Sequence, residues 1–328
     1  MNKLLTSVSR TAGLGLMGLA LFAAASAGAE TKMRAVSFIP KTHPVMIQAI
    51  AWTDAINAGL KGTLNINYVG GSEVIERFQQ AEAVRNGVID LVYTVTADYQ
   101  AHMPSGQSMV LSRLSPSEER KSGYYDWLVK RHMAKLNARY IGRLHSSGFY
   151  LWANKKADKL SDLKGLKMRT GSLYDRFMRA LGMVPVTMNS PEVHTALERG
   201  VVDGFGWPNM GPRQRGWIKK AKYVIDLPFF GASNVVALMN LDKWNGLSKA
   251  SQDKIIAITE KYEPGMVAHF KSGAAAEWKK LDAAGVVRYT FSDAVNKQYL
   301  DMAYDLEWKN LAKKVPGDVD TLRRITGN

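Results

Sequence analysis

The chain of 328 residues is 46% apolar and 22% charged, which is the balance of an ordinary globular protein, and its length suggests about two domains. It contains no cysteine, so disulfides, thiol catalysis, iron–sulfur clusters and cysteine-ligated zinc are excluded. Its formal net charge of +15 is compatible with nucleic acid, an anionic membrane or an anionic small molecule as partner.

Residues 1–29 have the three parts of a cleavable export signal. Lys3 and Arg10 give a basic start without acids, residues 12–25 are apolar, and Ala27-Gly28-Ala29 matches a small-residue cleavage site. The apolar run is shorter than the roughly 20 residues that a membrane-spanning helix needs. We therefore expect cleavage after Ala29 and a location in a bacterial periplasm, where little nucleic acid is available and the charge indicates an anionic solute or a membrane partner.

After the signal, the chain alternates between short strands and amphipathic helices. The apolar spacing predicts strand 33–39, helix 45–58, strand 64–69, helix 74–86, strand 89–94, helix 117–136, strands 139–144 and 149–154, helix 173–181, strand 184–188, a helix from 191 to Gly200, and strand 201–207. Further on it predicts strand 234–239, helices 248–261 and 266–281, and a last helix over 292–311. This order favours mainly parallel sheets with helices on their faces.

One short pattern occurs twice. Residues 83–91 (AVRNGVIDL) and 196–204 (ALERGVVDG) each read as a helix that ends at a glycine and leads into a strand. A common solution for joining a helix to a strand is the simpler explanation, since such loops recur. The alternative is that the chain contains two lobes of the same kind.

The search for catalytic and cofactor motifs is largely negative. The six histidines form no HxxxH or HExxH pair, no GxGxxG or Walker loop follows a strand, and no GxSxG elbow occurs. The sequence therefore predicts a protein that is not an enzyme and that has no cofactor and no bound metal.

The segment 160–208 contains the best candidate for a binding site. Arg169 ends a predicted strand, and a helix is expected to start nearby with Ser190 as its N-cap and Pro191 in its first turn. A guanidinium that faces the free amides of a helix start can bind a carboxylate together with them. Arg169 is therefore a candidate anion-binding residue, although an exposed structural arginine is the commoner alternative.

The spacing of several segments makes the sequence similar to a known family. Residues 162–170 (DLKGLKMRT), 180–186 (ALGMVPV) and 190–204 (SPEVHTALERGVVDG) resemble the substrate-binding proteins of tripartite ATP-independent periplasmic (TRAP) transporters, dicarboxylate type. The N-terminal half of the chain resembles the same family at His43-Pro44, 70–73 (GGSE), 82–90 (EAVRNGVID), Tyr99 and Pro104. The resemblance covers essentially the whole chain after the signal.

The resemblance implies an α/β, two-lobed periplasmic-binding-protein fold, in which each lobe is a mixed sheet flanked by helices and the ligand cleft lies between the lobes. Lobe I is expected to comprise 30–147 and 233–272, and lobe II 148–232 and 273–328. Crossing strands and a long shared helix are expected to join them. The implied function is to capture a small organic acid by lobe closure and deliver it to the membrane permease subunits of a TRAP transporter, with no role for nucleic acid.

Carried over by position, the resemblance implies that Arg169 pairs with the ligand carboxylate and that Trp207 lies against the ligand. The other pocket positions that it implies are Phe38, Arg77, Thr96, Tyr150 and Ser190. At two positions the sequence differs from some members of the family, and these differences reduce the range of expected ligands. Gly206 stands where metal-assisted members have a glutamate, and Tyr150 replaces a second arginine of sialic-acid binders, so neither a bound metal nor a large sialic acid is expected.

Several alternatives stay open on the sequence alone. An exported α/β enzyme would need a nucleophile and base pair, which the sequence does not show. A ligand-binding module coupled to a sensor would share all the features of a transport receptor. A sulfonate or an ectoine-like solute is an alternative ligand, because Tyr150, Trp152 and Trp207 offer aromatic faces to a cation.

Overall fold

The computed structural model describes residues 30–171, 173–232 and 234–328. The predicted export signal at 1–29 lies outside the described residues. In the part of the chain that the structure describes, no helix combines the length and the apolar character needed to cross a membrane.

Strands and helices alternate along the described chain. The strands are β1 (Thr31–Ser37), β2 (Leu64–Gly70), β3 (Leu91–Thr94), β4 (Ala138–His145), β5 (Tyr150–Ala153), β6 (Lys167–Thr170), β7 (Val184–Thr187), β8 (Gly204–Trp207), β9 (Tyr223–Ile225), β10 (Asn234–Asn240) and β11 (Val287–Tyr289). The helices are α1 (Pro44–Gly59), α2 (Gln80–Arg85), α3 (Ser108–Leu111), α4 (Pro116–Ser122), α5 (Tyr124–Leu136), α6 (Asp175–Ala180), α7 (Val193–Glu198), α8 (Leu241–Asn245), α9 (Lys249–Ala283), α10 (Asp293–Lys314) and α11 (Val319–Ile325).

The strands form two sheets of similar topology. The first sheet has the order β2-β1-β3-β10-β4, and the second has the order β11-β9-β5-β8-β6-β7. Strand β1 pairs in parallel with β2 and β3, and β6 pairs in the same way with β7 and β8. Strands β3 and β8 each have an antiparallel partner on the other side, β10 and β5 respectively. The mixed α/β fold with two helix-flanked sheets that the sequence predicted is confirmed.

The repeated sequence pattern has a structural counterpart in both sheets. In each copy a short helix is followed by a glycine of positive φ, +73° at Gly87 and +68° at Gly200, and the chain then enters β3 or β8. The aspartate before the strand, Asp90 or Asp203, accepts a hydrogen bond from a backbone N–H of the neighbouring parallel strand at 2.7 or 2.9 Å. The two sheets therefore contain the same local αβ unit.

Two segments cross side by side between the sheets. Residues 146–149 lead from β4 to β5, and the chain returns from β9 to β10 past Phe230. Phe149 and Phe230 form an antiparallel bridge, in which the Phe149 N–H donates to the Phe230 carbonyl at 3.0 Å. Gly148 permits this approach, because a Cβ there would lie 2.6 Å from the Phe230 carbonyl oxygen.

Several predicted helices have different bounds in the structure. The helix predicted at 74–86 is reduced to a turn, a short 3₁₀ segment and α2. The helix predicted at 117–136 is divided into α4 and α5 by Gly123, whose φ of +83° cannot continue a helix. The helices predicted at 248–261 and 266–281 are one continuous helix, α9, which runs through Pro264. Strands β9 and β11 were not predicted, because three residues at or near a sheet edge carry almost no periodic signal.

Helix α9 contacts elements of both sheets, which explains why it continues past its proline. Near its middle, Glu263 accepts two hydrogen bonds from the Arg120 guanidinium at 2.8 and 2.9 Å, beside the first sheet. Near its end, Trp278 stacks on Trp152 of β5 with ring centroids 5.8 Å apart. Packing along both halves of the helix compensates for the hydrogen bond that Pro264 cannot make.

The C-terminal residues contact both halves of the molecule. Glu307 of α10 pairs with Arg176 of α6, next to the second sheet. The end of α11 lies against α4, where the Ser122 hydroxyl donates to the Ile325 carbonyl at 2.8 Å. Part of the segment 273–328 therefore packs on elements that the sequence assigned to lobe I, and the division of the chain into lobes stays a prediction.

Candidate functional site

A cavity lies between the two sheets, at the carboxyl ends of their parallel strands. Its walls come from residues that follow β1 and β3 and from the ends of β6 and β8. Such crevices are where open α/β sheets bind ligands. The cavity volume is about 50 Å³. Because a cavity of roughly 10–15 Å³ can hold one water molecule, this one can hold a compact organic molecule. Its polar and aromatic lining residues are Phe38, His43, Arg77, Phe149, Arg169, Tyr174 and Trp207.

Arg169 lies at the end of β6 and is 1% exposed. Its Nε and one terminal nitrogen donate to the Met188 carbonyl at 3.2 and 2.9 Å, and the other terminal nitrogen lies 3.5 Å from the Tyr174 hydroxyl. The sequence predicted a helix start opposite this arginine, with Ser190 as its cap. Instead the guanidinium contacts a carbonyl, and the buried Ser190 hydroxyl has no hydrogen-bond partner among the described residues.

The Arg169 guanidinium has no carboxylate within ion-pair distance in the described part of the chain. Burial lowers its pKa to about 10, and the positive charges of Arg77 and Arg215 add to the lowering while the Tyr174 hydroxyl opposes it. The group is still charged at neutral pH. A buried charge without a counterion is costly, so an anion in the cavity is strongly favoured.

Arg77, by contrast, already has a counterion. Its Nε and one terminal nitrogen donate to both carboxylate oxygens of Asp98 at 2.9 and 2.8 Å. Burial raises the pKa of the Asp98 carboxyl, and the adjacent Arg77 opposes that shift. The guanidinium also lies over the Phe38 ring, 4.9 Å from its centroid. Arg77 therefore lines the cavity with its charge already neutralised by Asp98.

Gly171 lies between these two guanidinium groups. A Cβ at this position would lie 3.7 Å from a terminal nitrogen of Arg77 and 3.8 and 3.9 Å from the two terminal nitrogens of Arg169. Both arginines thus face the same small space. Because the residue has no side chain, that space is open to a ligand.

Trp207 ends β8 and forms an aromatic wall of the cavity. The Arg169 guanidinium carbon lies 4.7 Å from the Trp207 ring centroid, within the range of a cation–π contact. The Trp207 ring lies beside the guanidinium, and the two terminal nitrogens of Arg169 lie on the side of Gly171. The indole Nε1 is buried and has no hydrogen-bond partner among the described residues.

Four of the seven predicted ligand-binding residues, Phe38, Arg77, Arg169 and Trp207, line the cavity. The other three are buried or half-buried nearby but do not line it. Tyr150 packs edge-on against Trp278, with ring centroids 5.1 Å apart. Thr96 follows the lining residue Val95 along the chain. Ser190 lies two residues after Met188 and begins a short 3₁₀ segment.

Sequence reasoning missed His43, Tyr174 and Arg215. His43 belonged to a recognised motif, but nothing in the sequence placed it opposite Trp207, whose ring centroid is 5.8 Å from that of the imidazole. Tyr174 read as an ordinary residue of a predicted helix. Arg215 follows no pattern, and the structure alone places its charge near Arg169.

No cluster of three or more metal-ligating side chains occurs in the described ranges. At Gly206, where the resemblance raised the question of a glutamate, a Cβ would lie 2.4 to 2.9 Å from three atoms of the Tyr174 side chain. The Tyr174 hydroxyl also donates to the Gly206 carbonyl. With Tyr174 in this position, a carboxylate side chain at 206 does not fit.

Comparison with known proteins gives a consistent picture. Residues 35–314 match the sequence profile of the bacterial extracellular solute-binding proteins, family 7. A monocarboxylate 2-oxoacid-binding periplasmic protein of Nostoc sp. is 22% identical over 87% of this chain and 80% of its own length.

Two solved structures show the same fold. A TRAP periplasmic solute-binding protein from Desulfovibrio salexigens, with bound orotic acid, is 19% identical and aligns with a TM-score of 0.80 over 90% of this chain and 97% of its own. A second one, from Haemophilus influenzae with bound L-gulonate, is 21% identical and has a TM-score of 0.76 over 91% and 99% of the two chains.

Proposed function

The chain belongs to family 7 of the bacterial extracellular solute-binding proteins, and on this basis we propose that it captures a small carboxylate in the periplasm and delivers it to the permease subunits of a TRAP transporter. The matched family and the solved relatives are solute-binding proteins, not enzymes. The proposal thus concerns recognition and release, with the ligand chemically unchanged.

The observation that carries the proposal is the buried guanidinium of Arg169, which has no counterion in the described residues. A carboxylate supplies both the missing charge and a planar pair of acceptors that matches the guanidinium edge. Hydrogen bonds of this charged kind contribute about 1.5–3 kcal/mol each. A neutral solute would leave the charge uncompensated.

The ligands named for the relatives support this chemistry. A 2-oxoacid, orotic acid and gulonate are all carboxylates at neutral pH. They differ in the rest of the molecule, which fits a site whose shared requirement is an acid group.

Capture by closure is supported by the burial of the site. Arg169, Arg77 and Trp207 are 1%, 4% and 8% exposed, although they come from both sheets. A ligand can reach them only when the two sheets separate, and it is then enclosed when they return. The paired crossing segments at Phe149 and Phe230 are a suitable place for that movement, because Phe149 also lines the cavity.

The test is a thermal-shift screen of the protein without residues 1–29 against small organic acids, followed by calorimetry. A ligand at 100 times its Kd should add about 2.7 kcal/mol to the free energy of unfolding. Arg169→Ala should reduce this gain to about 0.4 kcal/mol or less at the same ligand concentration, as expected for a loss of affinity of about 100-fold or more. Arg179→Ala, which removes an exposed arginine of α6, is the matched control and should keep the full gain.

Two results would overturn the proposal. One is that no organic acid shifts the unfolding temperature while a neutral or cationic solute does. The other is that NMR spectra show chemical conversion of the ligand during incubation, which would indicate an enzyme.

A further inference from the structure

The second sheet ends, on the side away from the cavity, in a row of six strand ends. The register of the strands aligns these ends through five residue pairs, which are Lys167 with Val184, Met168 with Gly204, Gly204 with Ala153, Ala153 with Tyr223, and Tyr223 with Val287. Neighbouring strands lie about 4.8 Å apart, so the row is roughly 24 Å long. Arg169 and Trp207 lie near the opposite ends of β6 and β8, so a partner bound along this row leaves the cavity free.

The segments that lead into or out of this row carry a large excess of positive charge. They are 154–167, 198–204, 219–223 and 279–288, and together they contain twelve lysines and arginines but only five aspartates and glutamates. The excess of seven is about half of the net charge of +15 for the whole chain. A small acid in the cavity lies at the other end of the sheet and neutralises none of this excess.

The acids in these segments already have partners, whereas most of the basic side chains do not. Three of the five acids form ion pairs. The other two, Asp162 and Asp203, accept hydrogen bonds from backbone N–H groups at 2.9 to 3.1 Å. The nine remaining basic side chains are exposed and have no ion-pair partner among the residues that the structure describes. Four of them lie within three residues of an aligned strand end, and we call these four the basic end: Lys155, Lys164, Lys167 and Lys222.

Exposed valines lie in the same row. Val184 and Val287 begin the two edge strands β7 and β11 and are 49% and 39% exposed, and Val201, in the turn before β8, is 48% exposed. One exposed valine is common on any protein surface. Three of them among unpaired lysines have the composition of a membrane-binding surface, in which apolar side chains enter the headgroup region and cations contact anionic lipids.

We propose that the basic end, together with Val184, Val201 and Val287, is a docking surface for an anionic phospholipid bilayer. The charges of the two surfaces are complementary, and a row of aligned strand ends can contact a flat partner along its whole length. Nucleic acid would pair with the lysines but offers no apolar layer for the valines. Each basic residue near an anionic membrane strengthens binding by about fivefold, so the four lysines give a reversible contact that salt weakens.

This contact goes beyond the capture of a ligand and does not depend on which ligand the cavity binds. The predicted export signal places the protein beside a membrane, and the proposed function requires it to reach a permease in that membrane. A receptor held at the bilayer searches for the permease along a surface and not through the whole periplasm.

Vesicle flotation of the protein without residues 1–29 tests the proposal. The vesicles consist of phosphatidylcholine alone or of phosphatidylcholine and phosphatidylglycerol in equal parts. At about 0.1 M NaCl the protein should float with the anionic vesicles and not with the neutral ones. Binding should be lost at about 1 M NaCl, where the screening length falls from about 10 to about 3 Å.

A variant with glutamine at all four positions of the basic end should bind the anionic vesicles about 100-fold or more weakly. The matched control carries glutamine in place of four exposed lysines of α9 and α10 that have no ion-pair partner in the described ranges: Lys261, Lys271, Lys309 and Lys313. It has the same net charge and should bind like wild type. Circular dichroism and the unfolding temperature check that both variants fold.

A second variant, Val184→Ser with Val287→Ser, keeps every charge and removes the apolar side chains at both ends of the row. It should bind the anionic vesicles about tenfold more weakly. Its binding to a short DNA duplex, measured by fluorescence anisotropy, should equal that of wild type, because the phosphates contact only the lysines.

Three results would overturn the proposal. The first is that wild type does not float with anionic vesicles, and the second is that the control variant loses as much binding as the variant of the basic end. The third is that the valine replacements leave vesicle binding unchanged, which would indicate a general site for polyanions. None of these results affects the proposed function, because binding of organic acids in the cavity is measured without lipid.

Discussion

The Arg169 guanidinium carbon lies 4.7 Å from the centroid of the Trp207 indole, although the two residues lie near the ends of different strands of the second sheet. Strands β6 and β8 are parallel neighbours, so their carboxyl ends meet at one edge. The register of these strands thus brings a buried charge and an aromatic face to the same cavity wall. Most of the expected behaviour of the site follows from this arrangement.

Arg169→Ala should weaken binding of the cognate acid by about 100-fold or more, which corresponds to about 3 kcal/mol at roughly 1.4 kcal/mol per tenfold. The loss is large because the ligand carboxylate stays buried without its partner. Arg169→Lys should recover part of the affinity, since it restores the charge but not the two-pronged geometry. Calorimetry on both folded variants measures this. Binding by Arg169→Ala within a few-fold of wild type would mean that the ligand lies elsewhere.

Gly171→Ala should reduce ligand affinity by about tenfold or more with little change in stability. The added methyl group would stand 3.7 to 3.9 Å from the terminal nitrogens of Arg77 and Arg169, which is ordinary contact for the protein but removes space from the ligand. Gly317→Ala, whose Cβ would have no neighbour within 4 Å, is the matched control. Calorimetry measures the affinity of each variant, and thermal unfolding measures its stability. If Gly171→Ala binds the ligand normally, the ligand does not occupy the space between the two arginines.

Stability should fall as the pH decreases from 6.5 towards 4, partly through His132. Burial lowers the pKa of His132 from 6.5 to about 4, and its Nε2 lies 2.9 Å from the Tyr99 hydroxyl. Between these values the unfolded chain takes up a proton that the folded protein does not, so protonation favours unfolding. At pH 5 the loss for this one group is about 2 kcal/mol.

Urea unfolding of wild type and His132→Gln at pH 7.5, 6 and 5 tests this expectation. The variant cannot titrate at this position, so the free energy of unfolding should depend less steeply on pH than in wild type. Equal slopes for the two proteins would contradict the role assigned to His132.

The exported protein should begin at Glu30, because the predicted signal ends in Ala27-Gly28-Ala29. Intact-mass analysis of the protein from a periplasmic extract determines the N-terminus. Ala29→Arg should block cleavage and leave a longer, membrane-associated form, since the cleavage site requires small residues. A full-length protein in the wild-type extract would contradict the prediction.

The local αβ units and the main anion-binding candidate were predictable from the sequence. Periodicity and the glycines Gly87 and Gly200 mark the end of a helix and the start of a strand, and these are properties of a few neighbouring residues. Arg169 was identifiable because it ends a predicted strand within the motif-rich segment 160–208. The interruption of the predicted helix 117–136 was missed, although Gly123 is a local signal of the same kind. The continuity of α9 through Pro264 was not predictable, because packing against distant elements overrides local preference.

The electrostatic character of the site was decided only by the tertiary structure. In the sequence Arg77 lies in a predicted helix and Arg169 at the end of a predicted strand, and neither position reveals a partner for the charge. In the structure Asp98 neutralises Arg77, and no described carboxylate reaches Arg169. Likewise His43 and Arg215 are more than half the chain apart and meet beside Trp207 only after both sheets have formed. Sequence patterns indicate which residues lie on the same face of a helix or strand. The ion-pair partner of a charged side chain and its degree of burial depend instead on which strand ends the tertiary structure brings together.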